Sequence, residues 1–463
     1  MPAKRLTALL LTLLCCIMLL PQPVPAKAIS FAPTEPIASE SAVLLNLDLD
    51  TVVYEKNADM KQMPATLAQI MTAIVVLESG VDIETETVTA QQAWFDPLYD
   101  YESPTDLRYA QINAGDVLTV EDLLYAMLLT SSCEAATMLA MHFGEGDESA
   151  FVDKMNTKAQ VIGMPNTRFT NAVGLYSARQ VTTARDMMQM LRYAMTVPRF
   201  ENIACAVRYT PASAELKGKT EDWTWTHSNI MCDTESKYFC TGVKGIKTGN
   251  LQEWGRAIAC KASRDGNNYL LVCLKSPMYD ENGASRFYHL EDATTIIEWA
   301  FSHLSYQKLL TTNTEIDEVK VENAKDTDYV IVKPALGYSC IWCDTMDINL
   351  IQQIITIDEN VQAPVKEGQK LGTIKLKHSG EVLAEIDLIA ASSVERSFWS
   401  YNLSIIPGFF KSDFLGIAWK SALWLSVIYL VICIVCYIIY RRQKAKHPRP
   451  RRTVANERPR RPQ

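Results

Sequence analysis

Five residues of this 463-residue sequence have side chains that bear on nucleophilic chemistry. The hydroxyl of Thr66 or Ser131, or the thiol of Cys133, can attack a carbonyl carbon once a neighbouring base removes its proton. The amine of Lys247 is such a base only if its surroundings hold it neutral. Gln69, three residues after Thr66, cannot act as a base because a carboxamide takes up no proton at physiological pH. The Thr66 hydroxyl is also secondary, and its methyl group crowds the path of attack.

Histidines and cysteines give weaker indications of a functional site. The histidines show no HExxH motif or paired spacing, so we expect no zinc peptidase; they stand at positions 142, 227, 289, 303, 378 and 447. A lone CxxC motif at 340–343 could be redox-active or half of a zinc site, but buried structural thiols are the plainer interpretation. We therefore predict no metal and no cofactor, and we leave cysteine pairing open.

The elements that must position these residues follow a mixed α/β pattern over 29–305. A β-hairpin is predicted at 41–56, around an Asp-rich turn. Apolar periodicity predicts helices at 66–77, 120–129, 135–143, 148–162, 183–195 and 290–304. Further strands are predicted at 242–247, 255–262 and 268–274. From residue 306 to 395, short β-branched runs at strand spacing predict a small all-β domain.

The two ends of the chain predict export and membrane anchoring. Residues 1–28 have the layout of a secretory signal peptide. After a linker at 396–420, the 20 uncharged residues 421–440 can cross a hydrocarbon layer of ~30 Å as one helix. The tail at 441–463 holds ten Lys or Arg and one Glu, so we expect it to stay in the cytoplasm, with both domains outside the cell membrane. The body that remains is acidic, which argues against nucleic-acid binding.

Three segments resemble the active-site motifs of penicillin-binding proteins and serine β-lactamases, namely Ser-x-x-Lys, Ser-x-Asn and Lys-Thr-Gly. They read TLAQ at 66–69, SSC at 131–133 and KTG at 247–249. Their surroundings are similar to low-molecular-weight D-alanyl-D-alanine carboxypeptidases, as are FVDKMNTKAQVIGM at 151–164, TRFTNAVGL at 167–175 and APVKEGQKLGTIKL at 363–376. The resemblance spans roughly 38–395. It implies a penicillin-binding-protein/β-lactamase-like domain, with an antiparallel sheet flanked by helices, followed by a small all-β domain and one transmembrane helix.

The resemblance also implies roles for individual residues. In that family the first-motif serine attacks the amide between two terminal D-alanines of a peptidoglycan stem peptide, and water then cleaves the acyl-enzyme. Thr66, Gln69 and Ser131 occupy degenerate catalytic positions. The substrate-binding positions are occupied by Cys133, Lys247, Thr248, Gly249 and Asn250. Loss of a general base typically costs about 10²- to 10⁴-fold in rate.

These changes predict a catalytically impaired homologue that binds stem peptides, β-lactams or an unidentified protein partner through the cleft. The alternative is an active carboxypeptidase in which Thr66 attacks while Ser131 and Lys247 handle protons. Two further hypotheses stay open: a thiol nucleophile at Cys133, which would need His142 or His227 beside it, and a purely structural role.

Overall fold

The computed structural model describes residues 31–211, 223–402 and 413–446. The predicted signal peptide at 1–28 and the tail from residue 447 lie outside these ranges. The chain divides into two compact units. The first contains the chain up to Thr311 together with Gly337–Ile354 and Lys375–Glu385, and the second contains the remainder. The boundaries predicted at residues 305 and 395 stay a prediction.

A five-stranded antiparallel sheet lies at the centre of the first unit. The strands of this part of the chain are β1 (Ser41–Asn46), β2 (Thr51–Lys56), β3 (Thr87–Thr89), β4 (Val117–Thr119), β5 (Arg208–Tyr209), β6 (Trp225–Thr226), β7 (Val243–Leu251), β8 (Gly255–Arg264) and β9 (Asn267–Ser276). The central sheet has the order β2-β1-β9-β8-β7, and β3–β4 and β5–β6 form two short ribbons. The predicted hairpin is β1–β2, and β7 extends beyond its predicted end at residue 247.

Helices cover the sheet in the sequence order that the apolar periodicity indicates. They are α1 (Gln69–Leu77), α2 (Gln92–Tyr99), α3 (Val120–Thr130), α4 (Cys133–Phe143), α5 (Glu148–Val161), α6 (Ala184–Ala194), α7 (Phe200–Ala204) and α8 (Tyr288–His303). Residues 66–68, predicted to be α-helical, instead belong to a 3₁₀ turn at Ala65–Ala68 that leads into α1. Helices α2 and α7 were not predicted.

Both faces of the central sheet are buried, so β1 is apolar at nearly every position rather than at alternate ones. Val43 and Leu45 pack into a core with α1, α3 and α4. Ala42 and Leu44 point the other way, into a second core formed with α8. The sheet is thus the middle layer of the α/β domain expected from the sequence.

The C-terminal part of the chain is rich in strands, as predicted. It contains β10 (Leu304–Leu310), β11 (Asp317–Glu322), β12 (Tyr329–Pro334), β13 (Tyr338–Cys343), β14 (Gln352–Ile357), β15 (Val361–Gln362), β16 (Lys370–His378) and β17 (Glu381–Ala390). Six of them form a sheet in the order β14-β16-β17-β12-β11-β15, and β10 pairs with β13. The CxxC motif lies in β13, where residues three apart point to opposite faces, so Cys340 and Cys343 are not positioned to pair with each other.

One long apolar helix, α9 (Asp413–Lys446), ends the described residues. It begins within the segment predicted to be a linker. Its stretch Gly416–Lys444 is long and apolar enough to cross a membrane, and its side chains are exposed.

Candidate functional site

A cleft of about 590 Å³ opens in the first unit where β7 approaches the 3₁₀ turn and the α3–α4 corner. It brings together Thr66, Ser131, Thr248, Gly249 and Asn250, which the sequence places in three distant segments. The other lining residues are Thr105, Asp106, Arg108, Thr130, Ser228, Gln252, Arg256, Met278, Phe287 and His289.

Thr66 lies in the 3₁₀ turn and is only 3% exposed. Its Oγ1 donates a hydrogen bond of 2.8 Å to the backbone carbonyl oxygen of Thr248 on β7. The hydroxyl proton therefore points at a carbonyl oxygen, which is not a base. As it stands, this geometry does not activate the Thr66 oxygen for attack.

Gln69 is the first residue of α1 and is completely buried behind Thr66. Its Nε2 donates to the carbonyl oxygens of Val173 at 3.1 Å and Ser131 at 3.4 Å. Oε1 is buried and has no hydrogen-bond partner among the described residues. Because two carbonyl acceptors fix the amide nitrogen, this side chain holds the α3–α4 corner against α1 and offers no proton acceptor to Thr66.

Ser131 and Lys247 form a direct pair. Ser131 follows α3 and adopts the left-handed conformation with φ 64°, which turns the chain into α4. Lys247 on β7 is completely buried, and its Nζ donates to the Ser131 Oγ and, at 3.3 Å, to the Thr248 carbonyl oxygen. Burial lowers the pKa of Lys247 to about 7, so a substantial neutral fraction exists near neutral pH.

The remaining third-motif residues continue along β7. The Thr248 hydroxyl shares a hydrogen bond of 2.8 Å with the Ser228 hydroxyl, and both line the cleft. Gly249 approaches the 3₁₀ turn so closely that an added Cβ would lie 3.0 Å from the Ala65 Cβ. Asn250 is paired across the ladder with Arg256 of β8.

Cys133 lies behind the cleft wall rather than on it. The side chain is completely buried, and its sulfur lies 3.5 Å from the Arg108 backbone nitrogen. Burial raises the pKa of this thiol to about 12, so it stays protonated. His227 Nδ1 accepts a hydrogen bond from the Asn229 backbone nitrogen, and its Nε2 donates to the Ala204 carbonyl oxygen. His142 Nε2 lies 3.0 Å from the Glu86 Oε1. Among the described residues, neither histidine hydrogen-bonds to the Cys133 thiol, so the thiol-nucleophile hypothesis lacks its histidine base. The expected substrate contact of Cys133 stays a prediction.

The cleft carries more positive than negative charge although the protein is acidic. Arg108 Nη1 donates to the carbonyl oxygens of Thr105 and Leu107, and Arg256 Nη1 donates to that of Arg286. Arg256 Nη2 also donates to the Ser285 Oγ at 3.1 Å. Neither guanidinium group belongs to an ion pair within the described residues, so no carboxylate neutralises either charge. Asp106 is the lining carboxyl group; burial raises its pKa, and its Oδ1 accepts a hydrogen bond of 2.7 Å from the Gln252 backbone nitrogen.

Sequence reasoning missed most of the cationic and aromatic lining. Arg256 could have been found from strand register, because residues opposite each other in an antiparallel pair share a face and Asn250 was already a candidate. Arg108, Ser228 and Phe287 lie in connecting segments with no local motif, so their sequence neighbourhoods give no signal.

The described residues contain no cluster of three or more His, Cys, Asp or Glu side chains that could hold a metal ion. All ten cysteines within those residues carry free thiols. The polar groups in and beside the cleft include hydroxyl, amine and guanidinium groups.

Comparison with known families identifies two matching segments. Residues 27–277 match the family described as D-alanyl-D-alanine carboxypeptidase, and residues 304–396 match the C-terminal domain of penicillin-binding protein 5. A similar characterised protein is the D-alanyl-D-alanine carboxypeptidase DacF of Bacillus subtilis, 28% identical over 78% of this chain and 86% of its own length. Another is the D-alanyl-D-alanine carboxypeptidase of Streptomyces sp. K15, 30% identical over 60% of this chain and 91% of its own.

Solved structures support the fold. The D-alanyl-D-alanine carboxypeptidase DacD from Francisella tularensis aligns with a TM-score of 0.60 at 21% identity, covering 80% of this chain and 97% of that one. The Streptomyces K15 DD-transpeptidase aligns with a TM-score of 0.51 at 27% identity, covering 58% and 100%. These alignments confirm the predicted penicillin-binding-protein/β-lactamase-like fold with its C-terminal β-domain.

Proposed function

Because this chain belongs to the D-alanyl-D-alanine carboxypeptidase family, we propose that it acts in peptidoglycan metabolism as a catalytically impaired member that binds stem peptides through its cleft. The observation that carries this proposal is the position of Gln69. Its amide nitrogen donates to two backbone carbonyl oxygens, and Gln69 stands three residues after Thr66, at the position where the family motif has an amine. A carboxamide cannot take the proton of an attacking hydroxyl, so acylation at Thr66 lacks its base.

Positive charge in the cleft supports retained binding. A stem peptide ends in a carboxylate, and the guanidinium groups of Arg108 and Arg256 lie on the cleft wall without carboxylate partners among the described residues. Charge-assisted hydrogen bonds to such groups are stronger than neutral ones. The Thr248 and Ser228 hydroxyls add neutral donors beside them.

The apolar helix α9 supports anchoring in the cell membrane. Its length and composition suit a single span, and basic residues follow it from Arg441 onward. The positive-inside rule then favours a cytoplasmic tail and extracytoplasmic domains, which is the compartment that contains peptidoglycan.

A second candidate is an active carboxypeptidase with Thr66 as the nucleophile. The observation in its favour is a shared acceptor: the Thr66 Oγ1 and the Lys247 Nζ both donate to the Thr248 carbonyl oxygen. A rearrangement around this oxygen would let the amine reach the Thr66 hydroxyl. We rank this candidate second because in the structure Lys247 contacts Ser131 instead.

Binding can be tested with the full chain in detergent and a synthetic pentapeptide ending in D-Ala-D-Ala, by calorimetry. We expect measurable binding that weakens about tenfold in Arg256→Met, since a hydrogen bond to a charged group contributes about 1.5–3 kcal/mol. Arg264→Met is the matched control, because Arg264 lies at the other end of β8 and does not line the cleft. A peptide amide, which lacks the terminal carboxylate, should bind to the parent chain as weakly as the carboxylate peptide binds to the Arg256→Met variant. Equal affinity of all three proteins for both peptides would contradict the proposal.

A further inference from the structure

The Ser131 hydroxyl is the one described cleft hydroxyl that contacts a buried amine. Lys247 Nζ reaches the Ser131 Oγ across two segments that are 116 residues apart in sequence. Ser131 also lines the cleft, and 5% of the residue is exposed. By contrast, the Thr66 hydroxyl donates to a carbonyl oxygen, and the Ser228 and Thr248 hydroxyls bond to each other. Contact with a buried amine and a position on the cleft wall thus coincide at Ser131.

The groups around Lys247 favour its neutral form. The amine is completely buried and belongs to no ion pair within the described residues. Burial keeps the Cys133 thiol protonated, so Cys133 supplies no negative charge near neutral pH. Burial also lowers the pKa of His227 to about 4, so His227 is uncharged there. Arg108, the other charged group that acts on Lys247, is positive and opposes a second cation. A neutral amine beside a hydroxyl is the arrangement that general-base catalysis requires.

We propose that Ser131, with Lys247 as its base, is the acyl acceptor of this cleft for activated acyl donors such as β-lactams. Lys247 Nζ takes the proton of the Ser131 hydroxyl while Oγ forms a bond to the carbonyl carbon. The carbonyl carbon–nitrogen bond of the lactam then breaks, and Nζ returns the proton to the departing nitrogen. The product is an ester on Ser131 with the ring opened, and no further reactant is needed. The inference rests on the proposed function only in that it uses the same cleft.

The proposal is restricted to activated acyl donors because the cleft lacks the first-motif amine, which Gln69 replaces. The strained amide of a β-lactam expels its nitrogen more readily than a peptide does. A single serine–amine pair can therefore suffice for acylation by the lactam even where the peptide is bound without rapid cleavage. Ser131 labelling and impaired D-alanine release are thus compatible.

The test is to incubate the full chain in detergent with benzylpenicillin at pH 8, follow the intact mass over time, and map the modified residue by peptide mass spectrometry. We expect one adduct per chain, on Ser131. The labelling rate should fall at least about 100-fold in Ser131→Ala and in Lys247→Met, as loss of a nucleophile or of its base implies. Ser131→Gly is a second variant that removes the hydroxyl and suits the left-handed backbone at this position. Ser149→Ala, an exposed serine on α5 outside the cleft, is the matched control and should label like the parent.

The outcomes separate this inference from the proposed function. An adduct on Thr66 would overturn both the assignment of Ser131 and the impairment of Thr66. No adduct, with the D-Ala-D-Ala pentapeptide still bound, would overturn the acyl-acceptor inference and leave the binding function standing. Failure of both labelling and peptide binding would overturn both.

Discussion

At the residue scale, Gln69 has two effects: it replaces the basic amine of the family motif, and it connects distant segments of the chain. Its amide nitrogen bonds to carbonyl oxygens of Ser131 and Val173, which are 62 and 104 residues away in sequence. It thereby ties α1 to the α3–α4 corner and to the segment that contains Val173. The same buried position that would suit a catalytic amine instead holds a structural amide, which explains how the cleft keeps its shape without its base.

Lys247 should make stability depend on pH. Its folded pKa of about 7 lies below the ordinary lysine pKa of 10.5, so between these values the unfolded chain binds a proton that the folded chain does not. The contribution of Lys247 to the free energy of unfolding therefore rises as the pH increases from about 7 towards 10. Below pH 7 the amine is charged in both states, and the folded chain bears the full cost of burying the cation. Urea unfolding of the parent and of Lys247→Met at pH 7 and 9.5 measures this directly. We expect the variant's stability advantage to shrink at the higher pH; an advantage that is constant or grows would contradict the neutral-amine account.

At the scale of elements, the 3₁₀ turn that carries Thr66 is held between two glycines. An added Cβ at Gly174 would lie 2.2 Å from the Ala65 carbonyl oxygen, and Gly174 has φ 89°. From the other side, an added Cβ at Gly249 would lie 3.0 Å from both the Ala65 Cβ and the Leu67 Cδ1. Retention of this third-motif glycine thus has a packing reason that is independent of ligand binding.

Substitution of these glycines should destabilise the fold in a defined order. We expect Gly174→Ala to cost more than Gly249→Ala, because the first meets backbone in a left-handed conformation and the second meets side chains; overpacking typically costs about 1–3 kcal/mol. Thermal unfolding of the full chain checks the order. Gly416→Ala on α9 is the control, since its added Cβ meets nothing within 4 Å. If Gly174→Ala were as stable as the control, the close packing described here would be wrong.

The sequence predicts the elements better than it predicts their contacts. The hairpin β1–β2 and helices α3 to α6 follow from apolar periodicity and cap residues that lie within each segment. Helix α2 escaped prediction because it is short and contains Pro97, and β13 because its sequence YSCIWC does not alternate between buried and exposed positions. The Lys247–Ser131 contact depends on how β7 packs against the α3–α4 corner, which no local pattern encodes.

At the scale of the whole molecule, the proposed extracytoplasmic placement depends on α9. The described helix contains a candidate span of 29 residues at Gly416–Lys444, with Trp419, Trp424 and Tyr440 among its exposed aromatic side chains. Such residues favour the membrane interface when they lie near the ends of a span. If α9 spans the membrane, the part of the chain that forms the cleft is attached to the membrane through it.

Ending the chain after residue 402 should release it from membranes. We expect the full chain to sediment with the membrane fraction and to need detergent for extraction, because α9 exposes a continuous apolar surface. The shortened chain should instead appear in the soluble extracytoplasmic fraction and still bind the D-Ala-D-Ala pentapeptide. A full chain that is soluble without detergent would contradict the anchoring proposal.

The most direct test of impaired catalysis is the rate of D-alanine release from a D-Ala-D-Ala pentapeptide, measured for the parent chain and for the double variant Thr66→Ser with Gln69→Lys. The double variant restores the hydroxyl and amine of the family motif, and Thr66→Ser with Gln69→Met is the control that restores the serine alone. We predict release near the uncatalysed rate for the parent and control, and at least about 100-fold faster release for the double variant. Rapid release by the parent chain, with no gain from the restored lysine, would contradict the account.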